Sequence, residues 1–218
     1  MIAILKHTGG IAFILLLLIG SLFAAKKVDK IIDRLQKKYQ KVERLEIEFK
    51  QKTHFQLTNM ASEIYGTLLL DRKHDRYRLE TEDQVIVDNG KTFWRFNKLE
   101  NQVMIDYAKK SEQDVLISDF LFDIKKKYFA ELVSEEKTGK QKQFVIKLTP
   151  KNSEESYFKA IKVWVMDKTW HITRVVYEDI NDNQTEFDIT SLKINPVIPD
   201  SAFQFTPPQG VDVVDLRM

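Results

Sequence analysis

Between Gly66 and Tyr107 apolar side chains recur at every second position: Tyr77 and Leu79, Trp94 and Phe96, then Val103, Ile105 and Tyr107, with charged or amide residues between them. That period belongs to β-strands with one greasy face. Asp88-Asn89-Gly90-Lys91 interrupts two of these runs. Asn-Gly tolerates the positive φ values of a two-residue type I′ turn, so the stretch predicts an antiparallel hairpin with its apex at Asn89-Gly90.

The same alternation continues on both sides. Leu45, Ile47, Phe49, Gln51, Thr53 and Phe55 form a first strand, Asn59 to Glu63 is expected to turn, and Tyr65 to Asp71 returns. Further strands are expected over 127–133, 144–148, 161–166, 169–178 and 185–192, the last two joined at Asn181-Asp182-Asn183, before Pro196, Pro199, Pro207 and Pro208 break up the C-terminal segment. Two helical stretches stand apart. Val28, Ile31, Ile32, Leu35, Tyr39 and Val42 make one apolar stripe, and Ser111 to Asp114 resembles a capping box ahead of the oily run Val115, Leu116, Ile117, Phe120, Leu121.

Ten to twelve strands thus present an apolar face that only two or three short helices can cover. The expected fold is mainly β with α: an open, incomplete antiparallel β-barrel of about 11 strands under a helical lid. A curled sheet with incomplete filling encloses a ligand cavity, and aromatic residues suit a roomy lining. A hydrophobic ligand is the natural occupant. A tightly packed barrel without a pocket is the competing expectation.

Residues 1–25 read as a cleaved signal peptide, with Lys6 before an apolar run from Ile11 to Ile19 and Ala24-Ala25 before Lys26-Lys27, so residues 26–218 form a single mature domain. The run is shorter than the ~20 residues a spanning helix needs. The chain has no cysteine, hence no disulfide and no lipid-bearing thiol beside the cleavage region, and a soluble exported protein is expected.

Composition and motifs exclude much else. Basic and acidic residues number 34 and 32 and are interspersed, which leaves no nucleic-acid footprint. His7, His54, His74 and His171 are too scattered for a metal, and no cofactor motif, Gly-x-Ser-x-Gly elbow or Gly-rich phosphate loop occurs. Asp179-x-Asn181-x-Asn183 starts like a calcium loop but has Gln184 at the sixth position and Thr190 at the twelfth, so it reads as a polar hairpin tip. Glu135-Glu136 and Glu154-Glu155 read as solvated surface. The expectation is a protein that is not an enzyme.

The ordered set Phe49-Lys50-Gln51-Lys52, Gly66-x-Leu68, Asp88 to Asn97, Leu148-Thr149-Pro150 and the ending Phe203-x-Phe205-Thr206-Pro207-Pro208-Gln209-Gly210-Val211 resembles the LolA family of periplasmic outer-membrane lipoprotein carriers. The resemblance implies a half-barrel whose hollow holds lipoprotein acyl chains, lined by Ile47, Phe49, Tyr77, Trp94 and Phe96. It implies a lid containing Val115, Leu116, Phe120 and Leu121, and a basic latch that holds the lid closed, falling on Arg72 or Lys73. It implies a monomer, an inner-membrane lipoprotein-releasing ABC transporter as donor, and the outer-membrane receptor LolB or an equivalent as acceptor. The proline that follows the latch in the family is absent here, which leaves open a LolA/LolB-fold envelope protein for another lipid or glycolipid, or a stress sensor.

Overall fold

The computed structural model describes residues 26–108, 123–154 and 156–217. Helix α1 spans 26–40, and its stripe Val28, Ile31, Ile32, Leu35, Tyr39 is buried while the lysines between face outward. Six strands follow: β1 (Arg44–Phe55), β2 (Met60–Asp71), β3 (Arg76–Thr81), β4 (Gln84–Asp88), β5 (Thr92–Asn97) and β6 (Gln102–Tyr107). Helix α2 (123–127) leads into β7 (Tyr128–Thr138), β8 (Gln141–Pro150), β9 (Phe158–Met166), β10 (Ile172–Asp179), β11 (Gln184–Ile194) and β12 (Asp212–Asp215). The expected lid residues Val115, Leu116, Phe120 and Leu121 lie outside the described residues, as does the expected signal peptide.

All twelve strands form one sheet in the order β12-β6-β5-β4-β3-β2-β1-β11-β10-β9-β8-β7, which ends in two edges and does not close. The open β architecture expected from the alternation is what is found. Every pairing is antiparallel except that of β12, which runs parallel to β6 and reaches it by a long crossover. Helix α1 is about 22 Å long. Its apolar stripe shares one core with side chains of six consecutive strands of the sheet, β2-β1-β11-β10-β9-β8, a span wider than one helix, so the sheet wraps around the helix.

Two turns differ from expectation. The hairpin apex does fall at Asn89-Gly90, but the register closes at Asp88↔Phe93, and of the two residues only Gly90 has positive φ (+83°). Side chains shape the wider turn: Asn89 Oδ1 accepts from the amides of Lys91 and Thr92 at 3.0 and 2.9 Å, and Asp88 Oδ1 from that of Gly90 at 2.7 Å. Residues Met60 to Glu63 are strand, not turn, because Ala61, Ser62 and Glu63 pair with His54, Thr53 and Lys52; the turn lies earlier, at 56–59, and ends on Asn59 at φ 52°.

Candidate functional site

Strand alternation divides the sheet into a concave face against α1 and an outer face. Residues paired across strands share a face, so Ile47, Leu68, Leu79, Ile86, Arg95 and Met104 lie along one concave row. Leu45, Leu70, Tyr77, Asp88 and Phe93 form the next. On the far side of α1 the concave face carries Val175, Tyr177, Phe187, Ile161, Val163, Ile146, Leu148 and Leu132.

Helix α1 buries only the middle of this surface. Tyr77, Leu79, Tyr128, Leu132, Phe187 and Ile189 pack against the core yet are only partly buried. They form an apolar band wider than the helix that lies on it. Four edge-to-face or tilted ring contacts link Tyr157, Phe158, Tyr177, Phe187 and Phe49, at centroid distances of 5.1, 4.7, 5.9 and 5.3 Å in that order.

The five side chains expected to line a hollow are not on one surface. Ile47 and Phe49 are buried on the concave face, and Tyr77 is half-buried there. Trp94 and Phe96 point to the outer face, with Val85, Val87, Val103 and Ile105. That second apolar patch is covered by the C-terminal crossover: the Phe205 ring lies 6.0 Å from Phe96, Phe203 is fully buried, and the Arg76 guanidinium stacks 4.4 Å from the centre of the Phe203 ring. Sequence alternation missed the split, although register could reveal it. The closing pairs Glu80↔Val85 and Asp88↔Phe93 each enclose an even number of residues, which puts Tyr77 and Leu79 on the face of Phe93, not of Trp94.

Helix α1 is tied down at both ends. At its start Lys27 pairs with Glu135 of β7, which also binds Lys142, and midway along it Asp33 pairs with Lys125 of α2. At its end the last carbonyls lack helical partners. Arg72 Nη1 donates to the carbonyls of Val42 (2.8 Å) and Tyr39 (3.4 Å), and the Arg72 amide donates to Glu43 at 2.9 Å. A cation there also meets the negative end of the helix dipole. Lys73 is exposed on the same turn. The Tyr39 hydroxyl accepts from the Ile172 amide at 3.4 Å; burial pushes it up to about 12, with the amide bond pulling the other way.

Beneath Arg72, on the outer face, Asp71 is fully buried and its Oδ2 accepts from Arg44 Nε (3.3 Å), His74 Nδ1 (3.0 Å) and Arg76 Nη2 (2.9 Å). Burial alone raises a carboxyl, but the bonds from His74 and Arg76 and the Arg76 charge bring Asp71 down to about 2. Arg76 also bonds Asp200, so the same cation pins the C-terminal crossover.

A groove of about 580 Å³ on the outer face is lined by Glu48, Tyr65, Leu69, Arg78, Glu80 and Glu82 among others. Among the described residues no cluster of acids and histidines could hold a metal ion, and no helix is long and apolar enough to cross a membrane.

Comparison with known proteins places this architecture. An uncharacterized protein of Methanocaldococcus jannaschii is 22% identical over 207 residues, covering 92% of this chain, which spans only 58% of that protein's length. The outer-membrane lipoprotein carrier protein of Legionella pneumophila is 29% identical over 163 residues, 68% of this chain and 72% of that one. Among solved structures, an uncharacterized conserved protein from Thermus thermophilus superposes with a TM-score of 0.54 at 13% identity, over 87% of this chain and 99% of that one, and so shares the fold. Residues 40–206 match the family described as outer membrane lipoprotein carrier protein LolA. The chain therefore belongs to the LolA family, a family of carriers and not of enzymes.

Proposed function

We propose that this protein is a periplasmic carrier that binds the acyl chains of lipoproteins on its concave face and ferries them from the inner to the outer membrane. The observation that carries the reading is the partly buried band Tyr77, Leu79, Tyr128, Leu132, Phe187 and Ile189, a greasy surface inside an open sheet. Burying hydrocarbon gains about 0.8 kcal/mol per methylene, so acylated proteins neither leave a membrane unaided nor stay dissolved alone. Ile47, Phe49 and Tyr77 form the floor of the site, and the 115–121 run supplies the lid.

Arg72 acts as the latch, since its planar guanidinium can serve several carbonyls at once where a lysine offers a point charge. The signal at 1–25 directs export, an ATP-driven inner-membrane extractor supplies cargo, and LolB or an equivalent receives it. The carrier works as a monomer. Relatives named outer-membrane lipoprotein carrier protein support this reading.

The test is to incubate the purified protein with spheroplasts and analyse the soluble fraction. Lipoproteins released in complex with the protein are the expected result. Release of none, or of a different lipid alone, would replace the carrier reading by a lipid-binding one.

A further inference from the structure

One end of the sheet exposes apolar side chains that nothing in the fold needs there. The β1–β2 hairpin runs out in long arms to a turn at 56–59, where Leu57 is 92% exposed, Met60 64% and Phe55 43%. Beside it stands the β10–β11 turn with Ile180, 59% exposed, joined to the first by a bond from the Gln56 amide to Asn183 Oδ1 at 3.0 Å. Tyr157, half-exposed ahead of β9, stands at this same end, where Lys159 pairs with Asp182 of the β10–β11 turn. Hairpin tips of a water-soluble domain are ordinarily polar, and a cluster of this kind marks an interaction surface.

Two further observations define what the cluster fits. Phe55 and Met60 are register partners on the face that holds Phe49, with Gln51 and Thr53 between on β1. Tyr157 is also the outer member of the ring contacts that lead through Phe158, Tyr177 and Phe187 to buried Phe49. Through Tyr157 the exposed rim is therefore continuous with the concave apolar surface. Of the acids near the two tips, Glu63 pairs with Lys50 at 3.8 Å, Asp182 pairs with Lys159 and Asp179 is held by the Asn181 and Asn183 amides, while Lys52 adds positive charge behind the tip.

We infer that this rim docks on the surface of a phospholipid bilayer, with Leu57, Phe55 and Met60 dipping into the interface, and that acyl chains pass over it to the concave face without crossing water. Apolar side chains beside lysines suit an interfacial site on an anionic membrane. The inference rests on the carrier reading and adds the route of loading to it.

Because the chain has no cysteine, a single Leu57→Cys substitution can carry a polarity-sensitive dye, with Val197→Cys, 94% exposed beyond the opposite end of the sheet, as control. Vesicles of phosphatidylethanolamine and phosphatidylglycerol should blue-shift the dye at 57 and leave that at 197 unchanged. Leu57→Asp should lower vesicle partitioning by about tenfold and keep the wild-type melting temperature. Both variants retain the native N-terminus, so residual leader would affect them equally. No shift at 57, equal partitioning of Leu57→Asp, or a dye response only to an envelope protein would overturn the inference. If the protein still solubilises lipoproteins in that case, the rim assignment fails alone; if it solubilises none, the carrier reading fails beneath it.

Discussion

The Phe49 ring lies directly over the α-carbon of Gly66, its antiparallel partner on β2. A Cβ at that position would sit 2.5 Å from Phe49 Cζ and 2.9 Å from the Glu80 carbonyl oxygen. The glycine lets the aromatic ring fill the concave floor, where Phe49 meets Phe187 edge to face.

Replacing Gly66 by Ala should therefore cost about 1–3 kcal/mol, the usual range for overpacking. Urea titration measures it. Adding Phe49→Leu should recover only part of the loss, because the Glu80 carbonyl still crowds the new methyl; full recovery would assign the whole clash to the ring.

Arg72→Leu removes the donor to two carbonyls at the end of α1. A loss of about 1–2 kcal/mol is expected with the fold retained, while Lys73→Leu should be close to neutral. On the latch reading, Arg72→Leu also impairs cargo release, measured as transfer of bound lipoprotein to acceptor membranes. The reverse pattern would move the latch to Lys73.

Asp71 gives an acid dependence with a definite sign. Its carboxyl is depressed from 3.8 to about 2 in the folded protein, so its contribution is complete above pH ~4 and drains as pH falls through about 2. Unfolding free energies of wild type and Asp71→Asn, compared across this window, should converge on acidification. A difference that stays constant down to pH ~2 would show that the Arg44, His74 and Arg76 contacts do not depend on the charge.

The two apolar faces should respond differently to substitution. Phe96→Ala on the outer face loosens the Phe205 contact and should cost about 2 kcal/mol, less than the loss of a fully buried Phe, while leaving lipoprotein binding intact. Leu79→Asp on the concave face should abolish binding. Melting curves and retention of lipoprotein in detergent-free buffer separate the two effects.

Much of the fold was legible because period-2 and period-3.6 patterns are local. The α1 stripe and the hairpin apex at Asn89-Gly90 followed from neighbouring residues alone. Assignment of faces was harder, since β4 reads Val85-Ile86-Val87, apolar on both sides, and the outer face is greasy only because a distant crossover bearing Phe203 and Phe205 covers it. The parallel pairing of β12 is likewise non-local: Asp212-Val213-Val214-Asp215 carries no sign of which edge it will join. The partner of Arg72 was hidden for the same reason. Nothing in Arg72-Lys73-His74 reveals that the end of a helix thirty residues earlier stops beside it.

The most direct measurement is photocrosslinking from a lipoprotein whose acyl chain bears a diazirine, followed by mass-spectrometric mapping of the labelled peptides. Labels on Leu79, Leu132, Phe187 and Ile189 are predicted. Labels confined to Trp94, Phe96 and the other outer-face residues, or no labels at all, would contradict the claim that the concave face holds the lipid.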